Sequence, residues 1–158
     1  MIRRLQADEV EALKAIRLES LATDPAAFCS TFDGESALPE AEWEARALRG
    51  AESESQAVFV LDLGQLRGIL GVVLVEPDHA DLWGVFVAPD ARGHGWARQL
   101  VEAGLAWARQ AGATHITLEA NAALAPALAL YHATGFQLDG RRRQLGDKDL
   151  VGFTRTFP

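Results

Sequence analysis

The stretch "VAPDARGHGWARQLVEAGLAWA", Val87 to Ala108, joins an apolar segment to a helical pattern through a turn that contains Gly93 and Gly95. After the turn, apolar residues recur at helical spacing. The first four N–H groups of a helix have no partner within it, and the helix dipole adds positive potential there. Glycine lets the backbone approach an anion closely because it has no Cβ. The stretch therefore predicts a strand, an anion-binding turn and a helix.

Three kinds of phosphate-binding loop are compatible with a glycine turn before a helix. A Walker loop requires Gly-Lys-Ser/Thr, which this chain lacks. A dinucleotide-binding fingerprint requires a glycine three residues after Gly95, where the chain has Arg98. The third pattern, Arg-Gly-x-Gly-x-Ala after a strand that ends Val-x-Pro, is complete between Val87 and Ala97. Arg92 and Arg98 are expected to add positive charge at the rim.

The composition is that of an ordinary globular protein. The chain has 158 residues, the length of one domain, so we expect a single domain over residues 1–158. The net charge of −7 argues against a nucleic-acid partner, because binding to phosphates requires a basic surface. It suits a cationic acceptor such as an amine, although acidity that only maintains solubility is the alternative.

Neither a membrane span nor a metal site is expected. The longest apolar run, Ile69 to Val75, is too short to cross a bilayer. The start of the chain, "MIRRLQADEV", lacks the apolar stretch of a secretory signal, so we expect a cytoplasmic protein. Cys29 is the only cysteine, which excludes an internal disulfide and most cysteine-based metal sites. We interpret it as a small buried residue rather than a nucleophile.

The pattern along the chain predicts the element order β-α-α-β-β-β-α-β-α-β-β. Helices are expected near residues 7–23, 39–49, 97–111 and 125–134, with an irregular segment over 26–38. The continuous apolar run from Trp83 to Ala88 predicts a strand that is buried on both faces. Mixed strands and helices of this kind predict an α/β or α+β fold.

The glycine turn resembles the acetyl-CoA-binding motif of the GCN5-related N-acetyltransferase (GNAT) family. The segment "LEANAALAPALALYHATGF", residues 118–136, is similar to the strand and helix that follow in that family, including its Leu-Tyr-x-x-x-Gly-Phe signature. The resemblance is specific from Leu82 to Phe136. It implies the GNAT fold, a central mixed, mostly antiparallel sheet of six to seven strands flanked by about four helices.

The resemblance implies acetyl-CoA as the co-substrate. The backbone of Val85, Phe86 and Val87 would hold the pantetheine arm like an added strand, and one N–H would polarise the thioester carbonyl. The diphosphate would lie on the turn, formed by Arg92, Gly93, His94, Gly95, Trp96, Ala97 and Arg98. We interpret the large side chain of Trp96 as core packing. The family's usual asparagine position holds Leu124, so Asn121 would contact the arm or only cap the next helix.

The family's reaction is direct acetyl transfer to an amine, which requires a general base and a general acid. Tyr131, the only tyrosine, matches the position of the family's general acid; the alternative is a tyrosine that fills a gap in the core. Glu119 matches a position where some members have a catalytic glutamate; the alternative is a solvated carboxylate at a strand end. His79 and His94 are weaker candidates for the base.

The resemblance also implies an acceptor site between the first two helices, the splayed strand and the final hairpin. Its candidate residues are Phe28, Phe32, Asp33, Glu35, Trp43 and Trp83. Aromatic rings with carboxylates suit a cation, and ordinary packing of aromatic residues is the alternative. We therefore expect an N-acetyltransferase for a primary amine of a small molecule or a protein. A non-catalytic sensor that binds acyl-CoA is the second hypothesis, and the final strands offer a surface for a homodimer.

Overall fold

The computed structural model describes residues 1–158 and contains a seven-stranded sheet and five α-helices. The strands are β1 (Ile2–Arg4), β2 (Gln56–Asp62), β3 (Leu66–Glu76), β4 (His79–Val87), β5 (His115–Asn121), β6 (Gln137–Leu145) and β7 (Lys148–Thr156). The helices are α1 (Val10–Thr23), α2 (Phe32–Ser36), α3 (Glu40–Glu52), α4 (Trp96–Gln110) and α5 (Ala125–Ala133). The predicted mixed sheet and the predicted succession of its seven strands along the chain are confirmed.

The segment expected to be irregular, residues 26–38, contains one short helix that the sequence analysis missed. The side-chain oxygen of Thr31 caps this helix by accepting a hydrogen bond of 3.1 Å from the Gly34 N–H. Five residues are too few to show helical periodicity, which explains the omission. A 3-10 turn at Pro25–Ala27 lies between α1 and α2.

The sheet has the strand order β1-β2-β3-β4-β5-β7-β6. Every neighbouring pair is antiparallel except β4 and β5, which are parallel. The parallel pair is short and comprises only His79 with His115, Ala80 with Ile116 and Asp81 with Thr117. Beyond these pairs β4 continues to pair only with β3, and β5 only with β7, so a gap opens in the middle of the sheet.

A β-bulge in β4 accompanies the gap. Trp83 pairs with Gly71 and Phe86 pairs with Ile69, so two residues of β4 lie opposite one residue of β3. One of the two, Gly84, has a φ of +69°. An extra residue bends a strand and increases its twist. The prediction that the run from Trp83 to Ala88 is buried on both faces is wrong for its first half. Trp83, Gly84 and Val85 are half-buried because they border the gap.

Helices cover both faces of the sheet. On one face α4 and α5 pack on a core of 20 buried residues, and on the other α1 and α3 pack on a core of 11. Each fully buried aliphatic side chain contributes about 1.5–3 kcal/mol to these contacts. Gly104 brings α4 close to the sheet, since a Cβ there would lie 2.8 Å from Leu70 Cδ2. No helix of the structure has both the length and the apolar composition to cross a membrane.

Substitution of Gly71 tests the packing that holds Trp83 beside the gap. A Cβ at position 71 would lie 2.0 Å from Cε2 of the Trp83 indole, so Gly71→Ala must displace that ring. We expect a loss of about 1–3 kcal/mol in the free energy of unfolding, measured by denaturant titration. Gly104→Ala is the control, because its methyl group meets the flexible end of Leu70 and alanine favours the helix. Equal losses in the two variants would contradict this account.

Candidate active site

The turn before α4 has the backbone shape of an anion site. Gly93 and Gly95 adopt positive φ angles of +86° and +78°, which other residues rarely adopt. No atom outside the immediate chain lies within 4 Å of a Cβ built on either glycine, so the space around the turn is open. Gly95 is the N-cap of α4, and the first turn of that helix carries no acidic side chain. The positive end of the helix dipole, roughly half an elementary charge, is therefore unopposed.

A cavity of about 630 Å³ extends from this turn to α5. Its walls are the end of β4, the glycine turn, one side of α5 and the segment that follows α1, residues 23–27. Leu124 and Leu130 give it an apolar floor near Tyr131. The cavity thus combines a polar end, at the helix N-terminus, with an apolar end beside the only tyrosine of the chain.

The two arginines of the turn are already paired within the protein. Arg92 donates from Nε to the carbonyl oxygen of Val87 at 2.8 Å and from Nη2 to Asp24 Oδ2 at 2.6 Å. It therefore ties the end of β4 to the end of α1 and forms part of the cavity wall. Arg98 donates to Glu102 one helical turn later, and more than half of its side chain is exposed. It is the more exposed charge at the rim.

The edge of β4 that faces the gap is open. Its pairing with β5 ends at Asp81, although β4 continues to Val87. A narrow channel of about 70 Å³ lies in the gap and is bordered by Gly84 and Val85 on one side and by Glu119 on the other. Tyr131 borders both the channel and the larger cavity. An extended ligand in the gap could therefore bond to the β4 backbone like an additional strand.

Tyr131 is buried at the junction of the cavity and the channel. Its ring packs edge-on against Phe136 at a centroid distance of 6.1 Å and lies 5.8 Å from the Phe153 ring. Burial raises the pKa of the phenol to about 12, because the charged form is poorly solvated there. The hydroxyl group is therefore protonated at neutral pH and has a proton to donate.

Glu119 is held by an arginine from β6. Arg143 donates from Nε and Nη2 to the two carboxylate oxygens at 2.7 and 3.0 Å. These hydrogen bonds lower the pKa of Glu119 below its usual value, and burial only partly opposes them. The carboxylate is ionised at neutral pH, but it is a weaker base than a free glutamate.

Cys29, expected to be buried, is exposed, and its Sγ lies 3.8 Å from Arg143 Nη2.

Neither His94, expected in the diphosphate turn, nor Asn121, expected to contact the arm or cap the next helix, lines the larger cavity, although Asn121 borders the channel in the gap. The side-chain amide of Asn121 donates to the Ala26 carbonyl at 3.0 Å, and its Oδ1 accepts from the Ala123 N–H at 3.0 Å. Both ends are occupied, so Asn121 anchors the segment after α1 and shapes the turn before α5. Leu124 borders the cavity at the family's asparagine position and offers apolar contact instead.

Four of the six residues expected at the acceptor site, Phe28, Phe32, Glu35 and Trp83, lie in different surroundings. Phe28 and Trp83 border the channel in the gap. Phe32 is 42% exposed on α2 and does not line the channel. Glu35 is buried, and its carboxylate accepts three hydrogen bonds of 2.7–3.0 Å from Arg17 and Arg46. Burial disfavours its charge, but these bonds more than compensate and lower its pKa. Contrary to expectation, Glu35 has no unpaired oxygen for an ammonium group.

The comparison with sequence families decides the identity. The family description "Acetyltransferase (GNAT) family" matches residues 15–136, well over half of the chain. The chain belongs to the GNAT acetyltransferase family.

Solved structures agree with this assignment, whereas no curated protein matches the sequence. A GNAT-family acetyltransferase from Streptococcus pneumoniae is 21% identical, with 99% of each chain covered and a TM-score of 0.80. Spermidine N-acetyltransferase from Vibrio cholerae, solved with CoA and spermine, is 16% identical, with coverage of 99% and 94% and a TM-score of 0.78. The yncA protein from Salmonella typhimurium, solved with acetyl-CoA, is 20% identical, with coverage of 100% and 94% and a TM-score of 0.75. At these identities the likeness establishes the GNAT fold.

In this GNAT domain the structure brings most of the predicted cofactor residues together. With Tyr131 counted among them, ten of the twelve line the larger cavity, and only His94 and Asn121 do not. The sequence analysis missed Arg143, which donates hydrogen bonds to the Glu119 carboxylate, and Arg17, which donates hydrogen bonds to the Glu35 carboxylate. A signal for Arg17 was present, because its position falls within the buried stripe of α1. No comparable signal linked Arg143 to Glu119, since 24 residues separate them.

Tyr131 is the only tyrosine of this GNAT domain, so its ionisation can be measured directly by ultraviolet absorbance. We expect the ultraviolet absorbance of phenolate in the folded protein to rise with a midpoint near pH 12. In denaturant the same phenol should titrate near its ordinary value of about 10. The unfolded sample is therefore the control for the effect of burial. A folded-state midpoint near 10 would show that Tyr131 is solvated and would contradict its burial between the cavity and the channel.

Proposed function

We propose that this protein transfers an acetyl group from acetyl-CoA to a primary amine. One observation carries the proposal: a cavity with a helix N-terminus at one end continues through a gap between strands to a buried, protonated tyrosine. Acetyl-CoA has a diphosphate, an extended arm with amide groups and a thioester, in that order. The cavity offers a matching series of partners. The neighbours that were solved with CoA or acetyl-CoA support the same choice of co-substrate.

The residues present fit this co-substrate. Open amides at residues 93–98 suit a diphosphate, because unpaired N–H groups and the dipole both favour an anion. The unpaired edge of β4 at Val85 to Val87 suits the amide groups of the arm. Leu124 and Leu130 suit its methylene groups. Arg92 keeps this surface in place through Val87 and Asp24.

The proposed reaction forms a bond between the amine nitrogen and the acetyl carbon and breaks the bond from that carbon to sulfur. Acetyl-CoA supplies the activated acetyl group as a thioester. An alkylammonium has a pKa of about 10, so the acceptor must lose a proton before it attacks. Tyr131 donates a proton to the departing sulfur, a role that its raised pKa permits at neutral pH.

Glu119 is the proposed acceptor of the amine proton, directly or through water. It borders the channel opposite Gly84 and Val85. Arg143 keeps it ionised, so it is always in the basic form at neutral pH, although its lowered pKa makes it a weak base. The sensor hypothesis predicts none of this chemistry, and no feature of the site favours it.

The anion site is tested by a pair of substitutions at Gly95 that differ only in charge. Asn and Asp have the same shape and both tolerate the left-handed conformation of this residue. We expect Gly95→Asp to raise the Kd for CoA about tenfold or more relative to Gly95→Asn, because its carboxylate would repel the diphosphate. Isothermal titration calorimetry measures both constants. The same Kd in the two variants would place the diphosphate elsewhere.

The role of Tyr131 is tested by Tyr131→Phe, which removes the hydroxyl group and keeps the ring packing. We expect kcat to fall roughly a hundredfold or more while the Kd for CoA changes little. Because the phenol ionises only near pH 12, the wild-type protein should show no loss of kcat due to Tyr131 at moderately alkaline pH. A Tyr131→Phe variant with full kcat would exclude Tyr131 as the acid.

A further inference from the structure

Residues 23–28, which follow the body of α1, cross the gap at the end where β4 and β5 are unpaired; we call them the bridging segment. Near its start, Asp24 accepts a hydrogen bond of 2.6 Å from Arg92, which also bonds to the backbone at the end of β4. Two residues later, the carbonyl oxygen of Ala26 accepts a hydrogen bond of 3.0 Å from Asn121, the last residue of β5. The segment is therefore attached on both sides of the gap.

The bridging segment borders both spaces that the proposed reaction uses. Residues 23–27 border the larger cavity, where CoA would bind. Ala27 and Phe28 border the channel in the gap, beside Tyr131. Ala27 thus belongs to the wall of the cavity and to the wall of the channel. A displacement of the segment would change the shape of both walls together.

Hydrogen bonds, rather than burial, hold the middle of the bridging segment. Residues 25–27 are exposed, and Phe28 is the only buried residue of the segment. Lys148 of β7 donates to the carbonyl oxygen of Phe28, so a second strand on the far side of the gap bonds to the segment. Exposed chain with few apolar contacts opens at little cost in free energy. The bonds from Asn121 and Lys148 therefore decide where the segment lies on this side.

Asn121 fixes the bridging segment relative to the reacting groups. It lies on the same face of β5 as Glu119, since side chains two residues apart in a strand share a face, and both residues border the channel. Its Oδ1 accepts from the Ala123 N–H at 3.0 Å, which directs Nδ2 at Ala26. Asn121 is buried, so movement of Ala26 away from it would leave a donor of a buried side chain without a partner.

We infer that Asn121 and Lys148 are positioning residues: they hold the bridging segment across the gap, and the binding of both acetyl-CoA and the amine depends on them. The inference rests on the proposed acetyl transfer and gives Asn121 a role other than contact with the pantetheine arm. Acetyl-CoA in the cavity and the amine in the channel contact the same segment. When an anchor is lost, each ligand must order the segment itself and binds more weakly.

Lys148→Met tests the anchor from β7, because it removes the donor and keeps an unbranched apolar chain. We expect faster amide hydrogen exchange at residues 26–29 of the free protein and a Kd for CoA that is about three- to tenfold higher, as the loss of one hydrogen bond predicts. Mass spectrometry measures the exchange and isothermal titration calorimetry the Kd. Lys14→Met is the matched control, because Lys14 is the only other lysine and pairs with Glu40; it should change neither quantity.

Asn121→Asp tests the anchor from β5 without a change of shape. The variant keeps the oxygen that accepts from the Ala123 N–H but places a carboxylate oxygen opposite the Ala26 carbonyl, at a pH of about 8 where the carboxylate is ionised. Thiol release is measured with the primary amine that the wild-type protein uses best. We expect KM to rise about three- to tenfold for both acetyl-CoA and the amine, while kcat stays close to the wild-type value. Lys148→Met should show the same division between KM and kcat.

The outcomes separate this inference from the proposed function. Unchanged KM values and an unchanged Kd for CoA in the two variants would overturn the inference. A rise of KM for acetyl-CoA alone would also overturn it, because the segment would then serve only the cavity. A lower kcat with unchanged KM values would indicate less folded protein and a purely structural role. Absence of thiol release with every amine in the wild-type protein, despite CoA binding, would overturn the proposed acetyl transfer itself, whereas exchange and Kd would still report on the two anchors.

Discussion

Strands β4 and β5 pair at only three positions, from His79 with His115 to Asp81 with Thr117, and then separate. The bulge at Gly84 bends β4, while β5 keeps its full pairing with β7. Backbone groups along the free edge of β4 are left without a strand partner, and buried backbone groups require one. Tyr131 lies where the channel in the gap meets the cavity that begins at the anion site before α4. Without the separation the chain would have a continuous sheet and no site.

The charges around the gap are arranged locally and differ from the overall acidity. The protein has a net charge of −7, yet the N-terminus of α4 is unopposed by acidic residues. Arginines neutralise both glutamates that border the sites, Glu35 beneath α1 and Glu119 in the channel. Burial raises the pKa of Tyr131 to about 12, so its phenol stays protonated even at moderately alkaline pH. Each group is thereby held in the protonation state that acyl transfer to an amine requires at neutral pH.

Local patterns in the sequence predicted the parts of the site that depend on backbone shape. The glycine turn and the helix after it were found because glycine spacing and helical periodicity act over a few residues, whereas Tyr131 was identified through the family resemblance. The role of Glu35 could not be predicted, since its partners Arg17 and Arg46 come from two other helices. Burial of the run from Trp83 was also misjudged, because hydrophobicity does not reveal where two strands separate. Side-chain pairs between distant segments require the structure.

The most direct measurement is amide hydrogen exchange with and without CoA. If the free edge of β4 and the start of α4 hold the co-substrate, the amides of residues 84–87 and 95–98 should exchange more slowly once CoA is bound. Amides of β1, at the far edge of the sheet, should not change. CoA binding that leaves exchange at both segments unaltered would contradict the account, because the ligand would then lie outside the gap.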